Sequence, residues 1–306
     1  MKKEVYRNQL DRIVQDASTI ILGKEHNLKL ALACILARGH LLIEDLPGVG
    51  KTTLAQVLSR LLDLQFNRIQ FTSDMLPADI LGISVYAQST GQFTFHQGPI
   101  FANVILADEI NRATPKAQSA LLEAMEEKQI SLEGKTHFLP SPFFVIATQN
   151  PLDQIGTFPL PESQLDRFLM SISLGYPDHQ AERALLEAKD QRAKLKSVTP
   201  CLTGEQLSEM QTDVANITVS DALLDYIQAL VHYSRHSKQF HHGLSPRAAI
   251  ALLHVSKAWA MISGRDYVIP EDIKAVTPAV VGHRLININT DDKSDGIRLL
   301  LNTPIP

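Results

Sequence analysis

The chain has 306 residues and a net charge of −4, with 44% hydrophobic and 20% charged residues. These proportions are typical of a soluble globular protein with one large or two moderate domains. They give no overall attraction to nucleic acid or to an anionic membrane surface. The two cysteines, Cys34 and Cys201, argue against a disulfide framework or a zinc site. We find neither a secretory signal nor a membrane-spanning stretch, so we expect a cytoplasmic protein with no membrane insertion.

The first part of the chain, residues 1–38, carries apolar residues at helical spacing and predicts two helices. Between these helices, Ile21, Leu22 and Gly23 form part of a short apolar segment that ends at the glycine. Such a segment is typical of a turn between helices. It could instead supply an apolar wall for an adenine ring if a phosphate-binding loop follows in the chain.

A glycine-rich turn joins an apolar strand, residues 40–44, to a helix with an apolar stripe. The turn and the start of the helix read Asp45-Leu46-Pro47-Gly48-Val49-Gly50-Lys51-Thr52-Thr53. In a phosphate-binding loop, glycines allow backbone N–H groups to surround an anion at the positive end of a helix. Lys51 would then reach the β- and γ-phosphates, and Thr52 would bind Mg²⁺. Asp45 replaces the first glycine of the general pattern, so an ordinary strand–turn–helix with a surface lysine stays an alternative.

Two further patterns precede the next buried strand. Residues 66–71 alternate as a strand does, and residues 73–82 are typical of a short helical insertion. Residues 83–86 and 92–95 flank a Ser-Thr-Gly turn, which predicts a β-hairpin.

The stretch of residues 103–109 combines four apolar residues with two carboxylates, Asp108 and Glu109. It predicts a strand buried on both faces that ends in acid. Ligands of open α/β sheets bind beyond the carboxyl ends of strands, which would place these acids beside the phosphate-binding loop. Adjacent strand residues point to opposite faces. We therefore assign Asp108 to the Mg²⁺ shell and Glu109 to polarising an attacking water.

Residues 114–169 contain a helix that begins at Thr114-Pro115, a second hairpin at residues 129–139, and a third apolar strand at residues 143–150. Asn150 ends that strand and could bind a γ-phosphate or the attacking water, or it could cap the turn with Pro151. Arg167 follows Asp166 directly, and an exposed pairing between these two is the default expectation for such an arginine.

The character of the chain changes after Tyr176, where helix-capping patterns replace apolar strands. We therefore predict an α/β domain at residues 1–176 and an all-helical domain at residues 177–306. Ser245-Pro246 begins a helix whose first turn holds Arg247, at the end where the helix dipole disfavours a cation. Contact with a phosphate or with a neighbouring carboxylate would offset that cost.

Five stretches of the chain occur together in one order, namely D-L-P-G-V-G-K-T, V-I-L-A-D-E-I-N-R-A, A-T-Q-N-P, P-E-S-Q-L-D-R-F and G-L-S-P-R-A. In that order they resemble the MoxR family of AAA+ ATPases, over residues from about 20 to 285. In this family the first position of the loop is commonly acidic, as Asp45 is. The resemblance implies an AAA+ P-loop NTPase core, with a parallel sheet flanked by helices, and a C-terminal all-α lid.

The resemblance also implies a role for each motif residue around ATP and Mg²⁺. Residues 47–53 match the Walker A loop, and Asp108 and Glu109 match Walker B. Asn150 falls on sensor 1. Residues 21–23 match the segment that packs on the adenine base.

Three arginines match positions at which this family contacts nucleotide or a neighbouring subunit. Arg167 matches the arginine finger that one subunit offers to the next, and Arg247 matches sensor 2, which senses the γ-phosphate from the lid. Arg112 is a weaker candidate for an intersubunit contact. The family therefore implies a homo-oligomer, usually a hexamer ring.

The function that the resemblance implies is ATP hydrolysis that remodels or matures a protein client, often beside a partner with a von Willebrand factor A domain. One alternative is a chelatase-type subunit that drives metal insertion into a tetrapyrrole. Another is a nucleotide-dependent scaffold or switch with little turnover. A nucleic-acid translocase is a poorer fit, because Lys135 and His137 are few basic groups for a phosphate backbone.

Overall fold

The structure is a computed structural model that describes residues 2–88, 91–150, 156–187, 191–288 and 293–304. Its strands are β1 (Leu41–Glu44), β2 (Phe66–Gln70), β3 (Gly82–Ala87), β4 (Gln92–Gln97), β5 (Val104–Asp108), β6 (Gln129–Leu132), β7 (Lys135–Phe138), β8 (Phe144–Gln149) and β9 (Met170–Ile172). Its helices up to β9 are α1 (Lys2–Ser18), α2 (Glu25–Leu36), α3 (Lys51–Leu61), α4 (Pro77–Leu81), α5 (Pro115–Glu127) and α6 (Glu162–Leu165). The later helices are α7 (His179–Glu187), α8 (Gln191–Lys196), α9 (Gly204–Ala215), α10 (Asp221–His236), α11 (Pro246–Ile262), α12 (Pro270–Val281) and α13 (Lys293–Leu301).

Five strands form a parallel sheet in the order β2-β5-β8-β1-β9. The side chains of the central strands alternate between two apolar layers. Leu41 and Ile43 of β1 pack into the layer that contains α1, α2 and α3, whereas Leu42 packs into the layer that contains α5. Because both faces are covered by helices, the central strands are apolar almost throughout.

The helical region that follows β9 shares one of these apolar layers. Residues of α9 to α12 belong to the same buried cluster as α1, α2 and α3, and α11 packs directly on α2. The division at residue 176 falls in the connection between β9 and α7, and it stays a prediction.

The predicted fold class, an α/β sheet core with an all-helical C-terminal region, is confirmed. Both predicted hairpins form, as β3–β4 and β6–β7, although residues 89 and 90 of the first turn lie outside the described part of the chain. β9 and α13 were not predicted. Cys34 is buried, and Cys201 is partly buried. Among the described residues, no helix is both long and apolar enough to cross a bilayer.

Candidate active site

The turn between β1 and α3 has the backbone conformation that an anion-binding loop needs. Gly48 and Gly50 have φ values of +86° and +98°, in the left-handed region that favours glycine. Among the described residues, no heavy atom lies within 4 Å of a Cβ built at either position, so the loop faces open space. α3 begins at Lys51, directly after the second glycine, and the first N–H groups of a helix lack partners within that helix. The loop therefore fits a phosphate group.

Lys51 lies across this loop and is largely buried. Its Nζ donates to the backbone carbonyl of Asp45 at 2.7 Å. Burial lowers the pKa of Lys51, while the charges of Asp108, Asp45 and Glu109 oppose that shift. A bound phosphate could take the place of the carbonyl as the partner of the ammonium group.

Asp45, the residue that departs from the general loop pattern, has a structural role. Its buried carboxylate accepts hydrogen bonds from the backbone N–H groups of Leu174 at 2.6 Å and Gly175 at 2.7 Å, and from the hydroxyl of Ser173 at 3.1 Å. These three residues directly follow β9. Asp45 thus fastens the phosphate-binding loop to the start of the connection that leads to the helical region.

Asp108 ends β5 and is buried at the carboxyl edge of the sheet. Its Oδ1 accepts from the hydroxyl of Thr148 at 2.6 Å, and its Oδ2 accepts from Arg68 Nη2 at 2.5 Å. Arg68 Nε also donates to Oδ2, at 3.1 Å, and a carboxylate can accept further hydrogen bonds beyond these three. The Thr52 hydroxyl and the Asp108 carboxylate are hard oxygen donors, so the residues present fit the few protein ligands that Mg²⁺ takes beside substrate phosphates.

At Glu109 the backbone turns away from the direction of β5. Its φ of +57° is left-handed, and its backbone N–H donates to Thr148 at 2.9 Å. Its carboxylate accepts from Gln70 Nε2 at 3.0 Å and forms an ion pair with Arg112 Nε at 3.1 Å. The two carboxylates have different partners, but these partners are linked, because Arg68 Nη2 donates to Gln70 Oε1 at 2.6 Å. The predicted strand alternation does not hold at Glu109, since the strand ends at Asp108 and the backbone turns there.

The structure also describes Asn150 and the apolar segment that precedes α2. Asn150 directly follows β8 and is buried between the ends of the neighbouring strands. Ile21 is buried, Leu22 is partly exposed, and a Cβ at Gly23 would lie 3.2 Å from the Ala181 Cβ of α7. Pro151, the partner of the alternative turn, lies outside the described residues. The nucleotide roles of these residues stay predictions.

Arg167 and Arg247, named here the arginine pair, lie together in a second cluster. Arg167 Nη1 pairs with Glu126 Oε2 at 2.7 Å, and Arg247 Nη2 pairs with Glu126 Oε1 at 2.6 Å. A neighbouring carboxylate, one of the two contacts that would offset an arginine in the first turn of α11, is therefore present. The expected pairing of Arg167 with Asp166 is wrong, because Asp166 accepts instead from Arg284 Nε at 2.7 Å and from Ser245 Oγ at 3.1 Å.

The arginine pair lies at the opposite edge of the sheet from the phosphate-binding loop. α5 begins shortly after Glu109, and Glu126 follows about 17 Å further along its axis. The carbonyl of Met125 hydrogen-bonds His40 Nε2, and His40 Nδ1 accepts from the Val145 N–H at the start of β8. The end of α5 is therefore at the amino edge of the sheet. The structure brings Lys51, Asp108 and Glu109 together at the carboxyl edge, and it does not bring Arg167 or Arg247 to them.

Comparison with known proteins identifies the family of both parts of the chain. Residues 40–170 match the ATPase family associated with various cellular activities (AAA), and residues 232–298 match the AAA lid domain. The chain is 42% identical to YeaC of Bacillus subtilis, over 94% of this chain and 90% of that protein. It is 40% identical to Chaperone MoxR1 of Mycobacterium tuberculosis, over 90% of this chain and 75% of that protein. A crystal structure from Cytophaga hutchinsonii, 37% identical, superimposes with a TM-score of 0.88 over 99% of this chain and 96% of that one.

The chain belongs to the MoxR family of AAA+ ATPases.

The sequence motifs do not identify several residues that lie around the site of this MoxR-family chain. Arg68 and Gln70 lie two apart on β2, so their side chains share the face that reaches Asp108 and Glu109. Polar residues at alternate positions of β2 could have indicated a face directed at these two acids. Glu126 and Arg284 gave no such indication, because each has an ion-pair partner far along the chain. Arg247 lies 121 residues from Glu126, and Asp166 lies 118 residues from Arg284.

Arg284 is the most buried member of the second cluster, with a side chain only 5% exposed. Besides Asp166 it donates to the backbone carbonyls of Phe168 and Leu169. Burial lowers its pKa, an effect that Asp166 opposes and the charge of Arg247 increases slightly. Arg284 thus fixes the short segment that carries Arg167 against the helical region.

Proposed function

We propose that this protein hydrolyses ATP as a ring-forming homo-oligomer, with six subunits as the expected size, and that it couples hydrolysis to remodelling of a protein client. The observation that carries the proposal is the separation of the two clusters. The phosphate-binding loop and both acids lie at one edge of the sheet, and the arginine pair lies at the other. A complete site then requires two chains, one that binds ATP and one that supplies arginines.

Within the subunit that binds ATP, each residue has a distinct task. The phosphate-binding loop and Lys51 hold the phosphates, and Lys51 gives up the Asp45 carbonyl to do so. Thr52 and Asp108 would hold Mg²⁺, which neutralises phosphate charge when bound. Glu109 orients and polarises the attacking water once Gln70 and Arg112 release its carboxylate.

The neighbouring subunit contributes positive charge where negative charge accumulates on the transferred phosphoryl group. An arginine supplied in this way lowers the barrier by electrostatic stabilisation and leaves ground-state binding of ATP largely unchanged. The side chains of Arg167 and Arg247 are 32% and 49% exposed, which leaves them accessible to a second chain. Hydrolysis then depends on the contact between subunits and can change their relative orientation.

The test mixes two variants that fail for different reasons. Arg167→Ala removes the donated arginine, and Glu109→Gln removes the water-polarising group, so each should bind ATP and lose turnover by about 10³-fold. In an equal mixture, about a quarter of the sites would join an intact Glu109 to an intact Arg167, if neighbours assort at random. We expect recovery of up to that fraction of the wild-type rate.

The control is Arg183→Ala, which removes an exposed arginine that pairs with Glu187 in α7. This variant should keep the wild-type rate, alone and in mixtures. A mixture of Arg167→Ala and Glu109→Gln that stays inactive, although both variants bind ATP, would contradict action between subunits.

The proposed function also includes a protein client and partner proteins. The name of the relative Chaperone MoxR1 supports a protein client. A partner with a von Willebrand factor A domain and a cytoplasmic location stay predictions. Nucleic acid stays a disfavoured ligand, because residues 80–107, which include the β3–β4 hairpin, contain no lysine or arginine.

A further inference from the structure

Glu126 is the point at which the arginine pair meets. Its two carboxylate oxygens serve one guanidinium each, Oε2 for Arg167 at 2.7 Å and Oε1 for Arg247 at 2.6 Å. These arginines come from different parts of the fold, one from the segment before β9 and the other from the first turn of α11. Glu126 itself comes from a third element, the last turn of α5.

Two guanidinium groups that share one carboxylate would repel each other without that anion between them. Glu126 supplies that charge and uses few of the available donors. A guanidinium has five N–H groups, and one nitrogen of each arginine points at Glu126. The Arg167 Nη1 atom also donates to the Leu122 carbonyl at 3.0 Å. Within the described part of the chain the other guanidinium nitrogens of both arginines have no partner, so they can bind a planar or tetrahedral oxyanion.

The backbones of both arginines are fixed independently of Glu126. Ser245 caps α11 by accepting from the Ala248 N–H at 3.1 Å, and the same hydroxyl donates to Asp166. Asp166 directly precedes Arg167, and Arg284 holds it in place at 2.7 Å. The backbone thus sets where the two arginine side chains begin. Glu126 places both guanidinium groups, and the Leu122 carbonyl is a second acceptor for Arg167.

We propose that Glu126 is a positioning residue that holds Arg167 and Arg247 side by side for the nucleotide of the neighbouring subunit. The inference rests on the proposed function, since it assumes that these arginines act between chains. Glu126 does not contact the nucleotide itself. It orders two flexible, mutually repelling side chains before the subunits meet, so the loss of side-chain freedom precedes catalysis.

Loss of Glu126 should therefore reduce turnover and spare ATP binding. We expect Glu126→Ala to lower kcat by about 10- to 100-fold, the scale of a small misplacement of a catalytic group. The KM for ATP should stay within about twofold, because the phosphate-binding loop of the same chain is untouched. Glu126→Gln should be as slow as Glu126→Ala, since its NH₂ group would face a guanidinium and cannot accept. Glu126→Asp should retain part of the rate.

The matched control is Glu127→Ala. Glu127 is the next carboxylate of α5, it is exposed, and the described part of the chain shows no ion pair for it. This variant should keep the wild-type kcat. Thermal unfolding of all four variants should stay close to that of the wild type, because a partly exposed ion pair contributes little to stability.

Mixing separates a defect in the donated arginines from a defect in the ATP site. Glu126→Ala subunits keep an intact Glu109, so mixing them with Glu109→Gln subunits should restore turnover, as it should for Arg167→Ala. The proposal is overturned if Glu126→Ala keeps the wild-type kcat, or if Arg167→Ala is rescued in this mixture and Glu126→Ala is not. If neither variant is rescued, the proposed function itself fails, and this inference fails with it.

Discussion

Asp45 shows how one residue can serve two neighbours at the nucleotide site. Its carbonyl accepts from Lys51, and its carboxylate accepts from the backbone of Leu174 and Gly175. The loop that holds phosphate is thereby joined to the connection that leads into the helical region. A glycine at this position could provide the carbonyl but not the second link.

We predict that Asp45→Asn weakens the link between the carboxylate and the connection after β9. An amide can present its oxygen to Leu174 and Gly175 only by turning its NH₂ group toward the Leu46 N–H, which donates to Asp45 Oδ1 at 2.9 Å. The unmatched donors should cost about 1–3 kcal/mol of the free energy of unfolding, measured by urea denaturation. ATP should also bind more weakly by calorimetry.

The control for this prediction is Asp63→Asn, at an exposed residue with a φ of +51°, which asparagine accepts readily. It should leave both measurements unchanged, whereas Lys51→Ala should abolish binding without a comparable loss of stability. Wild-type unfolding and wild-type ATP affinity for Asp45→Asn would refute the two-link role.

Most residues of the ATP side of the site could be predicted from the sequence, because each motif is local. Gly48, Gly50, Lys51 and Thr52 lie within five consecutive positions, and Asp108 directly follows an apolar run. The members of the arginine pair could be predicted one by one, but their contact with a common carboxylate could not. Nothing in the sequence indicates that Glu126 and Arg247, which are 121 residues apart, form an ion pair.

At the level of elements, His40 joins the ends of three elements at the amino edge of the sheet. It directly precedes β1, its Nδ1 accepts from Val145 N at 3.0 Å in β8, and its Nε2 lies 3.1 Å from the Met125 carbonyl in α5. A backbone N–H can only donate, so Nδ1 must be the acceptor and Nε2 must carry the proton. This arrangement requires a neutral imidazole.

We predict that His40 makes the fold sensitive to mild acid. Complete burial lowers its pKa from 6.5 to about 4. Between these values the unfolded chain binds a proton that the folded chain does not, so stability falls as the pH falls. The loss between pH 7.5 and pH 5 is about 2 kcal/mol of the free energy of unfolding.

The measurement compares urea denaturation of the wild type and of His40→Gln at both pH values. The variant can still donate to Met125 and does not titrate, so its stability should fall by about 2 kcal/mol less than that of the wild type over this range. Its lower stability at pH 7.5 does not affect this difference. Equal losses in the two proteins would show that His40 is not the responsible group.

The elements that could be predicted are those whose pattern is long enough to be unambiguous. β5 and β8 are apolar over most of their length, and the hairpins alternate around turn residues. β9 has only three residues and belongs to the sheet through its pairing with β1, from Leu41↔Met170 to Ile43↔Ile172. Such a strand is defined by its neighbour and not by its own sequence.

At the level of the whole molecule, the separation of the two clusters predicts that activity depends on protein concentration. ATPase rate per subunit should rise with concentration and reach a plateau, because isolated chains lack a complete site. Sedimentation measured over the same range should show assembly at the concentrations where the rate rises. Arg167→Ala should assemble and remain inactive throughout. A rate per subunit that is constant down to the lowest measurable concentration would indicate a site that is complete in one chain.

The position of the arginine pair opposite the phosphate-binding loop also limits the symmetry of any assembly. A contact that joins one edge of a subunit to the other edge of the next uses two different surfaces, so head-to-tail repetition of it gives either a closed ring or an open row of subunits. An open row of subunits would have an unused phosphate-binding loop at one end and an unused arginine pair at the other. Such a row wastes one site whatever its length, and only closure of the row lets every subunit hydrolyse ATP.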